Sequence, residues 1–317
     1  MIMNHARLIQ SRAYNELKTL FLISVMAGLL GFLAYILAGG VLALSVLTFI
    51  AAAYLLSPSM APKLVMRFFK AKPLAYMEAP HVHRILRSLS SRAGLDQLPD
   101  LYVIPSRAMA AFATGDSQKS AIALSAGILN RLEPAEIAGV TAHEISHIRN
   151  NDMRSMWFAL LLARVTDLLS LAGQVLLFIN LPLLLFSQVS ISWLPIAVLV
   201  FAPSLSYLVQ LSISRVNEFN ADLGSAQLMG SPEPLISALS KIEYGQRSIF
   251  GNFFGQKTPN DESSLFRTHP PTRERIRRLK EIRVGSYADP ESVGSGFRAY
   301  AKPVRYIAPD QRYIRFI

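Results

Sequence analysis

The chain has 317 residues, of which 51% are hydrophobic and only 17% charged, with a mean hydropathy of +0.32. That balance excludes a disordered chain and a coiled coil, and it is too apolar for an ordinary soluble protein, so a membrane protein is expected. Cysteine is absent, which excludes disulfides, zinc–thiolate sites and thiol nucleophiles and leaves His, Asp and Glu as metal ligands. The net charge of +11 fits either nucleic-acid binding or Lys and Arg facing anionic lipid.

Met1–Leu17 is too polar, and the apolar stretch after it too long, for a cleaved signal peptide, so residues 1–18 are expected to stay as an N-terminal segment. From Thr19 to Pro62 there is no charged residue, and Gly39-Gly40 splits this run into Leu20–Ala38 and Val41–Leu56. The length suits two spans joined by a tight turn, a first hairpin over residues 19–56. A mixed-polarity segment follows over residues 57–154. In it, Val82, Ile85 and Leu89 give helical spacing to Ala79–Ser91, while Leu101–Pro105, Ala111–Gly115 and Ser120–Ser125 read as short strands. Glu133-Pro134 opens a helix running to about Asn150.

Apolar residues resume at Met156, interrupted by Arg164 and Asp167. These two are either a costly ion pair at membrane depth or, as preferred here, part of a lead-in helix over Ser155–Asp167 outside the bilayer. Leu168–Ser214 is again free of charge, and Gln188–Ser192 divides it into Leu168–Ser187 and Trp193–Ile213, a second hairpin within residues 155–213. Lys and Arg flank the outer ends of both hairpins: Arg7, Arg12 and Lys18, then Lys63, Arg67, Lys70 and Lys72, then Arg149, Arg154 and Arg215. The turns carry none, so the positive-inside rule puts both termini and the central segment in the cytoplasm. Residues 214–283 complete a mixed-polarity domain that helices and a small sheet make α+β, and 284–317 form a basic, aromatic C-terminal tail.

The helix after Pro134 carries His143-Glu144-Ile-Ser-His147, an H-E-x-x-H. Imidazoles at i and i+4 share one helical face and can hold one metal ion, and Glu144 beside the first can act as base on a metal-activated water. A catalytic zinc needs a third protein ligand, for which the segment Glu218-Phe-Asn-Ala-Asp222 provides a candidate.

An H-E-x-x-H followed, after a second hydrophobic hairpin, by E-x-x-x-D resembles the HtpX-type membrane zinc endopeptidases, whose relatives include the CAAX prenyl endopeptidases. The resemblance extends over roughly Lys18 to Leu279 and includes Ala111-Phe112-Ala113-Thr114-Gly115, Asp152, Thr268-His269-Pro270 and Arg275-Ile276. It implies one Zn²⁺ per chain held by His143, His147 and Glu218, with Asp222 supporting a zinc-binding histidine. It also implies a membrane α-helical fold of four transmembrane helices in two hairpins, with an α+β zincin-like cytoplasmic protease domain. Location in the bacterial inner membrane follows, with the active site on the cytoplasmic side. One position departs from the family: Ala110 stands where an Asn commonly precedes Ala-Phe-Ala-Thr-Gly, which affects substrate handling rather than the metal.

His81 and His83 are two apart on an expected helix and point to different faces, so a helix-start or packing role is preferred to a second metal site. His269, before two prolines on an expected loop, suits a site role, and the family resemblance implies that it stabilises the oxyanion opposite Glu144. Tyr244–Arg267, rich in Gly and Phe, reads equally as a mobile lid or as packing on the domain. The tail is assigned to an ordered extension or a lipid contact, and nucleic acid is not an expected partner.

The expected chemistry is metal-assisted peptide hydrolysis with Glu144 as general base. Ala110 and the strand Ala111, Phe112, Ala113 and Thr114 would hold the substrate backbone extended. Backbone reading implies broad specificity, which suits removal of misfolded or damaged membrane proteins. Expected partners are unfolded or membrane polypeptides, the lipid bilayer and other membrane proteases. The rival readings are a site-selective processing peptidase, a catalytically silent zinc-binding scaffold, and a transporter. Against the last, the charge-free spans offer no charged pathway; against the scaffold, Glu144 is intact.

Overall fold

A computed structural model describes residues 5–56, 62–116, 118–186, 192–253 and 271–282. His269, most of the Gly- and Phe-rich 244–267 segment, most of the second turn and the 284–317 tail lie outside the described residues. The described chain forms two compact units, one from residues within 59–153 and 217–317, the other from residues within 4–58 and 154–216.

The first apolar run lies in helix α1, His5–Leu56. Gly39 within it has φ of +78°, a left-handed conformation that costs glycine little because it has no Cβ. A Cβ on Gly31 would lie 3.0 Å from the Leu47 side chain. A straight helix would separate these two residues by about 24 Å along its axis, so the chain doubles back at Gly39-Gly40. The second apolar run lies in α6, Asp152–Phe186, and α7, Trp193–Met229. Among the described residues, three helices are long and apolar enough to cross a membrane: Leu17–Leu37, Asp152–Leu183 and Trp193–Met229, with Gly39–Tyr54 a shorter apolar one. Their common core includes Met26, Leu30, Leu33, Phe158, Leu162 and Leu199.

Hydropathy marked the expected limits of the spans, but the helices extend beyond them. The lead-in segment and the span after it are one helix, because Arg164 and Asp167 pair at 3.7 Å on its exposed side and leave its backbone unbroken. Likewise α7 continues past Ile213, and its later turns carry Glu218 and Asp222.

In the other unit, α2 (Pro62–Phe68) and the two-residue strand β1 (Lys72–Pro73) precede α3 (Pro80–Ala93). Pro80 opens α3 at a position where a missing N–H costs nothing. His83 Nε2 lies 2.8 Å from the Leu74 carbonyl oxygen, which gives that histidine a packing partner. Strands β2 (Asp100–Ile104), β3 (Ala111–Gly115) and β4 (Ser120–Ser125) join β1 in a sheet of order β1-β2-β4-β3. β2 and β4 are parallel, β3 is antiparallel to β4, and β3 lies at the edge. The expectation of three strands missed β1, whose Lys-Pro pair is too short to show a period.

After α4 (Ala126–Arg131) comes α5, Pro134–Arg149. Its start is fixed by a capping box: the Glu133 carboxylate accepts from the third-position backbone N–H, and Glu136 accepts the Glu133 N–H at 2.8 Å. Every residue from Glu136 to Ile148 is buried. α5 is thus a central helix, packed with α3, the sheet and α8 (Glu233–Phe253) through Val82, Leu86, Ile122, Leu124, Ile137, Ile145 and Ala238. A short α9, Thr272–Glu281, packs through Leu279 against Leu235 and Leu239 of α8.

Candidate metal centre

A buried helix cannot leave two imidazoles and a glutamate unsatisfied without a large desolvation cost, so the partners of His143, Glu144 and His147 define the site. One turn apart on α5, the two rings meet edge to face with centroids 4.7 Å apart, and their Nε2 atoms are 3.2 Å from each other. Glu218 enters from α7 with Oε2 3.6 Å from His143 Nε2 and Oε1 3.6 Å from His147 Nε2. A tetrahedral ion with ligand bonds near 2.0–2.1 Å sets its donor atoms about 3.3 Å apart, so this N₂O set has the spacing of a metal site. All three residues are buried and their ligand atoms lie within 4.8 Å of one another.

The second nitrogen of each ring is held by a carboxylate. His147 Nδ1 is 2.8 Å from Asp152 Oδ2, and His143 Nδ1 is 3.1 Å from Asp222 Oδ1. A carboxylate at Nδ1 favours the proton there, which turns the Nε2 lone pair toward the shared centre. Asp152 reaches His147 because α5 ends at Arg149, capped by Asn150, and the chain turns through Asn151, with φ of +54°, before α6 begins. Asp222 and Glu218 are four apart on α7 and face the same way. Close approach of α7 to α5 depends on Gly224, where a Cβ would lie 2.4 Å from Ser146 Oγ.

Arg275, from α9, completes the cluster. Its Nε and Nη2 bond Asp222 Oδ2 and Oδ1 at 2.9 and 2.6 Å, and its Nη1 lies 3.1 Å from Glu218 Oε2. Such a two-pronged guanidinium–carboxylate contact fixes orientation as well as charge. One cation therefore braces both the metal-facing glutamate and the carboxylate that orients His143.

Burial by itself would lower the His147 pKa, but the Asp152 and Glu218 carboxylates outweigh it and raise the value well above the ordinary 6.5. His143 is also raised: burial and the Arg275 charge oppose protonation, and hydrogen bonds to Asp222 and Glu218 prevail. The field that favours protons here also favours a metal dication in their place. Burial likewise opposes the charge on Arg275, yet Asp222, Glu218 and Glu144 raise its pKa.

Glu144 is buried beside His143, outside the converging donor set. Ala110 is exposed at the start of the edge strand. Its N–H bonds Ser125 Oγ at 3.0 Å and its carbonyl accepts the Ser125 N–H at 2.9 Å. Of the strand residues, Ala111 and Phe112 are half-buried and Ala113 and Thr114 buried. The structure thus brings together His143, His147, Glu218 and Asp222, with Glu144 adjoining. Sequence reasoning matched Asp152 and Arg275 to a pattern without giving either a task, since neither lies on a periodic face with the residues it holds.

An H-E-x-x-H whose imidazoles converge with a glutamate from a later helix, in a chain whose described residues include three helices able to cross a membrane, is the arrangement of a membrane metalloprotease. Residues 77–283 match the profile of Peptidase family M48, and the chain belongs to that family. It is 32% identical over 295 residues to a protease HtpX homolog of Trichormus variabilis, covering 84% of this chain and 96% of the relative. A protease HtpX homolog of Persephonella marina is 31% identical over 290 residues, covering 86% and 99%. Among solved structures, S. mikatae Ste24p aligns with a TM-score of 0.47 and 20% identity, covering 86% of this chain and 67% of the other.

Proposed function

We propose that this M48 metalloprotease is a zinc-dependent endopeptidase of the bacterial inner membrane that hydrolyses misfolded or damaged membrane proteins at its cytoplasmic face. The observation that carries the reading is the convergence of His143, His147 and Glu218, with Glu144 buried next to them and left out of the donor set. Two imidazoles and one carboxylate form a donor set that zinc takes in hydrolytic enzymes with a fourth position open. Zinc, when bound, supplies Lewis acidity at that position. Glu144 takes the proton of the attacking water on its carboxylate and passes it to the leaving amine. Asp152 and Asp222 keep the Nδ1 protons in place and so hold the rings in register for the metal. The edge strand β3 takes the substrate backbone as an added strand, which gives little side-chain selection. His269 keeps the oxyanion-stabilising task that the family resemblance gives it.

In this reading the chain crosses the bilayer four times, Gly39–Tyr54 supplying the short second span. Unfolded polypeptides, the bilayer and other membrane proteases are its partners. The test is Glu144→Gln in detergent-purified protein. Zinc per chain, by elemental analysis, stays at the wild-type value, while cleavage of casein or a destabilised membrane protein falls by about 10²–10⁴-fold. Retained cleavage would remove Glu144 from the mechanism.

A further inference from the structure

Helix α2 leaves an apolar face uncovered. Met66, on one side, is 1% exposed and packs with Ala121 and Ala123 of the sheet. On the opposite side Leu64 is 63% and Phe68 83% exposed, one helical turn apart. Both are large apolar side chains that a soluble surface would rarely present together. Lys63, Arg67, Lys70 and Lys72 stand around this face, all exposed, and the sequence has no Asp or Glu between Glu16 and Glu78. An apolar stripe with a purely basic border is the composition of a helix lying in a membrane interface. In the sequence only residues 57–61 separate α2 from Leu56, the end of α1.

We propose that α2 is an interfacial anchor that inserts Leu64 and Phe68 into an anionic bilayer surface while Lys63, Arg67, Lys70 and Lys72 contact the lipid phosphates. The inference rests on the four-span reading, in which α1 returns to the cytoplasmic face before α2. Anchoring is passed on to the protease: Phe69, next to α2, packs on Phe112 of β3 with ring centroids 4.8 Å apart. The edge strand assigned to substrate is thereby held at the bilayer surface, and the substrate class narrows to segments that emerge from the membrane or lie beside it.

The cysteine-free full chain permits single reporters. Leu64→Cys and, as a control, the exposed Asp96→Cys are labelled with one environment-sensitive fluorophore. Each protein is reconstituted in vesicles of equal parts phosphatidylglycerol and phosphatidylcholine, or of phosphatidylcholine alone. Lipid carrying a shallow nitroxide should quench the label at position 64 at least about twofold more than at 96 in the anionic vesicles. Adding K63Q, R67Q and K70Q should reduce that quenching about twofold, to its value in phosphatidylcholine, with zinc per chain unchanged as a check of folding. Equal quenching at 64 and 96, or a label at 64 shielded from both nitroxide lipid and aqueous iodide, as a protein partner would make it, overturns the proposal. So does quenching indifferent to the three substitutions. Accessibility of Gly40→Cys to an impermeant thiol reagent separates the two readings. Reaction from the side that exposes 96 breaks the four-span topology, whereas reaction from the opposite side with an aqueous position 64 breaks the anchor alone.

Discussion

The apolar helical unit and the metal-bearing unit bond their polar side chains in opposite ways. In the helical unit the hydroxyls of Ser24, Ser45, Thr166 and Ser212 each donate to the carbonyl four residues back, at 2.9 Å. Ser170, which reaches the Val200 carbonyl, and Arg154, which donates to the Tyr54 carbonyl and lies over the Tyr54 ring, bond beyond their own turn. In the metal-bearing unit the partners are mostly distant in sequence: Arg275 with Asp222, Ser225 with Gly139, and Ser237 with Glu136. Local bonds let a helix enter any apolar surrounding, because nothing else must be in place. Distant bonds hold a catalytic arrangement, because each group is satisfied only when the whole fold is assembled.

Five substitutions test that contrast, in falling order of effect. Arg275→Met leaves the Asp222 and Glu218 carboxylates buried without their shared cation, and the metal-free protein should lose about 3–5 kcal/mol of stability. Denaturant unfolding in detergent measures it; a loss under about 1 kcal/mol would mean that the cluster is not one unit. Bound zinc should restore part of the loss, since it supplies positive charge beside Glu218.

Asp152→Asn and Asp222→Asn remove the charge that orients each ring but keep its shape. Each should weaken zinc binding about 10–100-fold in chelator competition. Undiminished affinity in both would show that the helices alone aim the imidazoles.

Glu136→Gln tests the distant bonds away from the metal. Glu136 accepts from the Glu133 N–H, from Ser237 Oγ at 2.6 Å and from Lys241 Nζ at 2.7 Å, joining the start of α5 to α8. Lys241 is partly exposed, so its share is small. The cost should be about 1–2 kcal/mol in unfolding, with zinc affinity unchanged.

Ser24→Ala, in the helical unit, removes only a bond within one helix and should change stability by less than about 0.5 kcal/mol. A larger change there would break the comparison, because it would show that Ser24 has a partner beyond its own helix.

The site was legible in the sequence as far as local spacing carries it. The i, i+4 pairs His143/His147 and Glu218/Asp222 must each share a helical face, so either pair is visible once a helix is expected. That Asp152 would hold His147 depended on a left-handed turn at Asn151, which an Asn tolerates but does not announce. Arg275 carries no local signal at all: on α9 it is one of five basic residues in ten, and only its burial sets it apart.

By itself the sequence determined the apolar runs, their division at Gly39-Gly40, the α5 start at Pro134 and the ligand pairs, because hydropathy, capping and helical period are properties of neighbouring residues. The length of α6 and α7 was decided by the tertiary structure, since an apolar run shows where lipid or protein can cover a helix and not where its backbone bonding stops. Tertiary structure also decided that Glu218 would face the two imidazoles and that Arg275 would brace it. Those contacts join residues 57 to 75 positions apart, and such separations are closed by packing helices together, as at Gly224 against Ser146, which no local pattern encodes.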